Sequence, residues 1–322
     1  LQRVIEVLHN ELPGYEDMNI DALRPHLISE QRIVKAPSYG ADREQMAVTL
    51  INQGKLGEAA AIYRALVSSG TNSHDCYNNL AAILGMQGNC GELIGLLCKA
   101  LELEPGCPGA HSNLGNALKE KGDLDAAIAS YKKAIELKPV CPEFHYNLGN
   151  ALKAQGNLGA AIVSYRKALE LKPYYPEAQG NLSGAELLIG DYKNGWEGYD
   201  CRFQKRNAQA LLHAHPRCVQ WNGDDLCAND ELLLVGEQGL GDTLQFMRYA
   251  LALRGQGVRV SLCAPQKLHS LIRISGIDPA PLTPEQANAV AEGRWIPLLS
   301  VPRRLEVSPS NPIITEPYIK TT

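Results

Sequence analysis

The middle of the chain repeats one pattern of apolar and polar positions every 34 residues. Residues 108–141 and 142–175 are identical at most positions, with NLGNALKEKGDLDAAIASYKKAIELKP followed one period later by NLGNALKAQGNLGAAIVSYRKALELKP. Leu114 and Leu118, like Leu148 and Leu152, lie four residues apart, which is the spacing of an apolar helix face. Each period therefore predicts two amphipathic helices that pack against each other.

Turn-forming residues recur at fixed phases and mark where the helices end. A glycine suited to a left-handed helix terminus precedes Asn or Asp, which are good N-caps, and a proline stops the second helix. These positions are Gly54, Gly88, Gly122, Gly156 and Gly190, then Asn89, Asp123, Asn157 and Asp191, and finally Pro105, Pro139 and Pro173. The 34-residue period and these signals predict an α-helical solenoid of tetratricopeptide repeats.

The array is expected to span residues 40–209, with repeats at 40–73, 74–107, 108–141, 142–175 and 176–209. Its outer repeats are degraded, because Lys55 stands where other repeats have Asn or Asp, and Thr71 stands where Pro is expected. Terminal units of a solenoid differ because one side meets a different neighbour. Residues 1–39 have helical but off-period patterning and are predicted to form an N-terminal helical cap.

An asparagine followed by leucine is held at one phase in four repeats. The row comprises Asn79, Asn113, Asn147 and Asn181, and Asn116 and Asn150 extend it three residues further on. A row of amides on one helix face can hold the backbone of an extended peptide, so these residues form the predicted peptide-binding site. Two alternatives stay open: the asparagines are copies retained from duplication, or they bond the neighbouring helix.

Composition limits the expected partners and compartment. The net charge is −4 and no basic cluster is longer than two residues, as at Arg303-Arg304, so nucleic acid is not an expected partner. No apolar run approaches the length of a membrane span. The nine cysteines are dispersed and include no C-x-x-C pair, which favours reduced thiols and a cytoplasmic location.

The histidines give little indication of metal chemistry. His111 and His145 share one phase of the repeat but have no carboxylate or cysteine at ligand spacing, so packing or groove polarity is their expected role. His213, His215 and Cys218 lie close together in the sequence but lack a fourth ligand. The sequence therefore predicts neither a metal site nor a cofactor.

After about residue 207 the period stops, and strand and helix patterns alternate instead. The segment from Leu232 to Val235 is a continuous apolar run, which is typical of a strand buried on both faces. Val258 to Cys263 and Trp295 to Leu298 predict further strands. We expect a polar linker at 210–228 and a small α/β domain with a parallel, Rossmann-like sheet at 229–322. Gly236, Gly239 and Gly241 follow the first of these strands with the spacing G-x-x-G-x-G. This differs from the dinucleotide-binding fingerprint G-x-G-x-x-G, so a dinucleotide site is not expected.

Several segments of the C-terminal third resemble one protein family. They read GWEGYDCRF, VQWNGDDL, LLLVGEQGLGDTLQFMRYA and WIPLLSVPRRL, with PYI near the end. Together they are similar to bacterial tetratricopeptide-repeat proteins with a heptosyltransferase-like, family 9 glycosyltransferase domain. The NLGNALK units are similar to the repeats of O-linked N-acetylglucosamine transferases. The resemblance implies that the α/β domain is the N-terminal half of a GT-B fold.

The resemblance also implies a site at the glycine-rich turn after the first strand. Asp242, in the GLGD segment, matches the residue placed to act as general base on the acceptor hydroxyl. The loop expected beside the substrate comprises Glu237, Gln238, Gly239 and Gly241. The alternative for Asp242 is that it serves as the N-cap of a helix beginning at Thr243.

Two functions are consistent with these patterns. In the first, the array recruits a protein or peptide acceptor for sugar transfer from a nucleotide-sugar. A GT-B enzyme needs a second Rossmann domain, of on the order of 100 residues, to bind that donor. The chain ends at Thr322 without such a domain, so by itself it is expected to be inactive. In the second, the chain is a non-catalytic scaffold or assembly factor with a vestigial α/β domain.

Overall fold

The computed structural model describes residues 39–87, 92–204, 212–237, 239–313 and 317–320. The predicted N-terminal cap lies outside these residues, except for Tyr39, at which the first helix begins. The chain divides into two compact units, Leu1–Thr71 and Asn72–Thr322, and each is described by itself.

The first unit contains one helix pair, α1 (Tyr39–Asn52) and α2 (Leu56–Ser68), which pack against each other. Gly54 lies in the turn between them with a φ of 75°, a conformation that glycine adopts without strain. Lys55 precedes α2 and makes no capping hydrogen bond through its side chain. This pair is the predicted first repeat, and its missing cap agrees with its degraded sequence.

The second unit opens with further helix pairs that stack in chain order. Their first helices are α3 (His74–Met86), α5 (Pro108–Lys121), α7 (Pro142–Ala154) and α9 (Pro176–Ile189). Their second helices are α4 (Leu93–Leu103), α6 (Leu124–Leu137), α8 (Leu158–Leu171) and α10 (Tyr192–Tyr199). Each helix packs against its own pair and against the next one, which confirms the predicted helical solenoid.

The turns explain why the helices begin and end at these residues. Gly122 and Gly156 have φ values of 88° and 86°, so each closes a first helix in the left-handed conformation. The side chains of Asp123 and Asn157 then accept hydrogen bonds from backbone N–H groups three residues on, each at 3.2 Å. Asp191 caps α10 in the same way at 3.4 Å. The predicted helix ends are therefore confirmed at these turns.

Glycine and tyrosine pack together inside the two most regular repeats. A Cβ atom added to Gly115 would lie 2.6 Å from the ring of Tyr131, and one added to Gly149 would lie 2.6 Å from the ring of Tyr165. Both tyrosines are fully buried. The glycines thus allow the first helix to approach a large side chain of the second more closely than any other residue type would.

The remainder of the second unit forms a parallel sheet. Its described strands are β1 (Val219–Gln220), β2 (Glu231–Val235), β3 (Arg259–Cys263) and β4 (Arg294–Pro297), in the spatial order β1-β4-β2-β3. In the ladders of β2, Leu233 pairs with Ser261 of β3 and with Trp295 of β4. The prediction of a parallel sheet is confirmed, with β2 as an inner strand.

Short helices cover both faces of this sheet. They are α11 (Leu240–Phe246), α12 (Tyr249–Gly255), α13 (His269–Ile274), α14 (Pro284–Asn288) and α15 (Val301–Arg304). Leu232 and Leu234 belong to the larger core, and Leu233 and Val235 belong to a smaller core that includes Ala287. Strand β2 is therefore buried on both faces, as its apolar run predicts.

One difference from the sequence prediction concerns the expected linker at 210–228. Within it, Val219 and Gln220 form β1, which pairs with β4 at the edge of the sheet. Trp221 follows and is buried in the main core, where its indole N–H donates to the carbonyl oxygen of Asp224. The segment thus contributes an edge strand and a core residue to the α/β region.

Candidate functional site: the asparagine face

The first helices of the repeats carry the asparagine row on one continuous surface. We call this surface the asparagine face, and it comprises Asn79, Asn113, Asn147 and Asn181 together with Asn116 and Asn150. All six side chains are half-buried, on helices α3, α5, α7 and α9. Successive first helices contact one another, so the amides of one repeat lie beside those of the next.

Two members of the row bond the neighbouring first helix. The Asn113 side-chain N–H donates to the Asn78 Oδ1 of the preceding repeat at 2.9 Å. Asn181 donates to the Asn150 Oδ1 at 2.8 Å and to the Tyr146 hydroxyl at 3.3 Å. The alternative that the asparagines bond the neighbouring helix therefore describes these two residues.

The other row is bonded to the buried tyrosines. The Tyr131 hydroxyl donates to the Asn116 Oδ1 at 2.7 Å, and the Tyr165 hydroxyl donates to the Asn150 Oδ1 at 2.9 Å. Burial raises the pKa of both phenols well above its ordinary value, so they remain protonated donors. Each of these asparagines is held by its carbonyl oxygen, and its NH₂ group points away from that bond.

Some amide groups of the asparagine face remain able to bond a partner. Asn147 makes no side-chain hydrogen bond to the residues that the structure describes, so both its oxygen and its NH₂ group can meet a partner. The NH₂ groups of Asn116 and Asn150 add donors on the two sides of it. Asn79 interacts with another group of the protein. The face thus offers an acceptor and several donors that an extended backbone can use.

His111 and His145 connect successive repeats. The Nε2 atom of His111 lies 3.0 Å from the carbonyl oxygen of Pro105, and that of His145 lies 2.9 Å from the carbonyl oxygen of Pro139. Each ring thus bonds the proline that follows the second helix of the preceding repeat. This agrees with the predicted packing role.

The predicted loop residues lie at the carboxyl end of β2, apart from the asparagine face. Asp242 is exposed in the first turn of α11, while Gly239 is the N-cap residue with a φ of 125°. The expectation that Asp242 caps a helix beginning at Thr243 is therefore wrong, because α11 begins three residues earlier, at Leu240. Gly241 precedes Asp242, and no atom lies within 4 Å of the position that a Cβ on it would occupy. Gln238 lies outside the described residues.

Glu237, the remaining predicted loop residue, is buried in an ion pair. Its side chain is 4% exposed, and Arg202 donates to both carboxylate oxygens, from Nε at 2.8 Å and from Nη2 at 2.9 Å. The Leu299 backbone N–H adds a third bond at 3.1 Å. A carboxylate with both oxygens engaged has little capacity for a substrate, so this geometry favours a structural role.

Arg202 occupies the crevice where open α/β sheets commonly bind ligands. The chain passes from β2 to β3 on one side and then crosses to β4 on the other, so β2 and β4 border the point where the strand order reverses. Arg202 bonds Glu237 just after β2 and Ser300 just after β4. Its side chain, only 11% exposed, therefore lies between the loops that follow β2 and β4.

The segment GWEGYDCRF carries part of the family resemblance, but its sequence pattern assigns its residues no role. In the structure Asp200 accepts hydrogen bonds from Arg202, Ser300 and Arg303 at 2.9, 2.6 and 3.1 Å. Trp196 packs edge-on against Phe246 of α11, with ring centroids 6.1 Å apart. The segment joins the last repeat to the α/β region. The only sequence signal for this junction is that an aromatic and charged motif replaces the repeat pattern after Gly190.

A cavity of about 590 Å³ lies between the last repeats and α15. Four of its five charged groups are paired, Arg166 with Glu186 at 2.7 Å and Arg303 with Asp200 at 3.1 Å, and the fifth, Glu197, is exposed. Guanidinium and carboxylate groups that neutralise each other give little preference for any ligand charge. The asparagine face offers the better defined ligand chemistry.

No group of three or more His, Cys, Asp or Glu side chains in the described ranges is arranged to hold a metal ion. His215 is exposed, and burial raises the pKa of the Cys218 thiol and lowers the pKa of His213. Among the helices that the structure describes, each is too short or too polar to cross a lipid bilayer.

Comparison with known proteins identifies the repeats. Family models described as TPR repeat and tetratricopeptide repeat match residues 115–156 and 142–175. The chain therefore contains tetratricopeptide repeats, as the period predicts. Sequence comparison with curated proteins gave no match.

Solved structures of repeat proteins superpose on about half of the chain. A crystal structure of MamA is 22% identical and covers 51% of this chain and 96% of its own, with a TM-score of 0.45. TTC0263, a TPR protein of Thermus thermophilus, is 18% identical and covers 52% and 91%, with a TM-score of 0.44. YrrB, described as a TPR protein with an unusual peptide-binding site, is 18% identical and covers 50% of this chain and 84% of its own, with a TM-score of 0.43.

Proposed function

We propose that the chain is a protein-binding module whose asparagine face holds an extended peptide by its backbone. The observation that carries the proposal is the Asn147 amide, which is half-buried, lies within a row of amides, and bonds no described residue. A polar group in such a position gains from a partner that supplies both a donor and an acceptor. A peptide backbone supplies one of each at every residue.

The neighbouring bonds give this surface a fixed geometry. Because Tyr131 and Tyr165 hold the carbonyl oxygens of Asn116 and Asn150, the NH₂ groups of these two asparagines keep one orientation. Donors that are fixed before binding lose less conformational entropy when a peptide arrives. Contacts made to the backbone also imply a loose preference for side chains, as expected of a scaffold that accepts several partners.

The proposal is tested by selecting short random peptides displayed on phage against the purified chain. We expect selected peptides to bind Asn147→Ala about two- to tenfold more weakly, the effect of one or two lost hydrogen bonds. The melting temperature of this variant should not change, since Asn147 bonds no described residue. Asn72→Ala, in an exposed loop, is the matched control. Selection of no peptides, or equal binding by Asn147→Ala, would overturn the proposal.

A second candidate function is a part in sugar transfer. It rests on the resemblance to glycosyltransferases, in which residues 229–322 would be a Rossmann-like half of a GT-B fold. The exposed Asp242 carboxylate, just beyond the carboxyl end of β2, is the observation that favours it, because a general base must reach an acceptor hydroxyl. In that resemblance the nucleotide-sugar is bound mostly by a second Rossmann domain.

This candidate is tested with a nucleotide-release assay. Release of nucleotide from a panel of nucleotide-sugars is measured for the parent and for Asp242→Asn. A loss of about 10²–10⁴-fold in the variant is the effect expected for removal of a general base. Equal rates, or no release by the parent, would leave the chain as a non-catalytic scaffold.

A further inference from the structure

Two rows of lysines in the repeats have different surroundings. On the second helices, Lys99, Lys133 and Lys167 each pair with a glutamate three residues on, at 2.8–3.1 Å. On the first helices, Lys119 and Lys153 also lie one period apart and are half-buried. Neither has a carboxylate partner among the described residues. The charges of Lys119 and Lys153 are therefore available to a partner.

Lys153 extends the amide row of the asparagine face. Gly184 lies one period after Asn150, so it occupies the phase at which a further asparagine would stand. The Lys153 ammonium nitrogen lies 4.0 Å from the position that a Cβ on Gly184 would occupy. Along this row the side-chain groups are thus the Asn116 amide, the Asn150 amide and then the Lys153 ammonium.

No acidic side chain of the described residues pairs with this lysine. Glu186, two residues after Gly184 on α9, is bonded by Arg166 at 2.7 Å. Glu143, in the first turn of α7, is ten residues before Lys153, which corresponds to about 15 Å along the helix. That distance exceeds the screening length of about 8 Å at physiological salt. Glu143 also lies 3.4 Å from Lys172, which offsets its charge. The end of the face at Lys153 is therefore positive.

Favourable interaction with the helix dipole gives a different reason for a lysine near a helix end. Lys121, in the last turn of α5, can interact with the helix dipole equally well. It lies on another side of its helix, however, and is exposed. The position of Lys153 over Gly184 is not needed for the dipole. A variant of Lys121 therefore separates the two explanations.

We propose that the peptide bound by the asparagine face carries an acidic side chain whose carboxylate bonds the Lys153 ammonium above Gly184. This inference rests on the peptide binding proposed above and names the class of partner. The backbone amides fix an extended strand, and the charge then selects an Asp or Glu at one position of it. A charge-assisted hydrogen bond in a half-buried position gives about a five- to tenfold preference.

The test uses two random peptide libraries on phage, one with both peptide ends blocked by the coat protein and one with a free C-terminus. The parent chain, Lys153→Gln and Lys121→Gln are used as baits, and recovered sequences are counted. We expect Asp and Glu to be enriched about fivefold at one position in the blocked library with the parent and with Lys121→Gln. This enrichment should disappear with Lys153→Gln, and higher salt should weaken it.

The other outcomes decide between the two proposals. Peptides recovered by all three baits without acidic enrichment would overturn the charge inference and leave peptide binding standing. Enrichment confined to the free C-terminus would assign the lysine to a chain end and overturn the role of an acidic side chain. Recovery of no peptides by the parent would overturn both.

Discussion

At the scale of single residues, the asparagine row divides its hydrogen bonds between the fold and the surface. Asn113 and Asn181 each bond the preceding first helix, whereas Asn147 bonds no described residue. Asn113 and Asn181 each donate a hydrogen bond to the side chain 35 residues earlier. That earlier residue differs between successive repeats, being Asn78, Ser112 and Tyr146. The amides are therefore equivalent in the sequence period and not in their contacts.

The glycines that face buried tyrosines give a prediction at the same scale. Gly149→Ala would place a Cβ 2.6 Å from the ring of the fully buried Tyr165, which cannot move without disturbing the hydrogen bond to Asn150. We expect the free energy of unfolding to fall by about 1–3 kcal/mol, as for overpacking in other cores. Urea unfolding followed by circular dichroism measures the change.

The control for this prediction is Gly159→Ala in α8. No atom lies within 4 Å of the position of its Cβ, and Gly159 is exposed. Alanine there should stabilise by about 0.5–1 kcal/mol, because it lowers the entropy of the unfolded chain. If both variants had the same urea midpoint, the Gly149–Tyr165 contact would not constrain the repeat.

At the scale of helices, the first repeat lacks the N-cap hydrogen bond that later repeats have before their second helix. Lys55 precedes α2 with φ −85° and ψ 60°, close to the −82° and 71° of Asn157, which caps α8. Lys55→Asn should therefore accept a hydrogen bond from the Glu58 N–H without a change of backbone. We expect a stabilisation of about 1 kcal/mol, the usual contribution of an N-cap. Slower hydrogen exchange at the Glu58 amide would show it directly.

Lys55→Ala is the control for charge in this experiment. It removes the exposed contact of 3.8 Å between Lys55 and Glu58, which contributes about 0–1 kcal/mol, and adds no cap. Protection of the Glu58 amide should rise in Lys55→Asn alone. Equal protection in both variants would mean that the backbone before α2 does not allow capping.

The same helix signals explain how much of the fold could be predicted. Gly122, Asp123 and Pro139 act through local backbone preferences, so their effect is readable from a few neighbouring residues. Strand β1 is only two residues long and pairs with β4, about 75 residues away, so no local pattern distinguishes it from a linker. Periodic helices were therefore predictable and the short edge strand was not.

At the scale of the whole described chain, the second unit is held together at the end of its array by one buried charge network. Arg202 bonds Glu237 and Ser300, which are 35 and 98 residues away in the sequence. The sequence pattern placed Glu237 beside a substrate because its neighbours form a glycine-rich turn. The partner that buries it comes from the last repeat, and no motif within the turn indicates such a partner.

This network predicts a large effect of Arg202→Ala. The variant would leave the Glu237 carboxylate, 4% exposed, without its cation, and breaking a buried pair in this way costs about 3–5 kcal/mol. Arg259→Ala is the matched control, since its pair with Glu231 is 3.1 Å long but 64% and 52% exposed. That control should change stability by about 0–1 kcal/mol. Equal unfolding midpoints for the two variants would show that the junction does not stabilise the unit.

Asp200 makes the stability of the same junction dependent on pH. Burial alone would raise the pKa of Asp200. The hydrogen bond from Ser300, the charge of Arg202 and the hydrogen bonds from Arg202 and Arg303 outweigh it and hold the pKa below its ordinary value of 3.8. A carboxyl group whose pKa is lowered by folding stabilises the folded state above its unfolded pKa. That contribution is lost as the pH falls through the folded pKa.

Asp200→Asn should therefore be less stable than the parent at neutral pH, and the difference in urea midpoint should shrink on acidification below pH 3.8. The physical reason is that the protonated parent carries the same zero charge at this position as the variant. Asp225→Asn, at an aspartate outside this network, controls for the loss of a negative charge. Its difference in urea midpoint from the parent should not reflect any loss of the junction. A constant difference between parent and Asp200→Asn from neutral to acidic pH would mean that Asp200 stabilises by packing and neutral hydrogen bonds rather than by its charge.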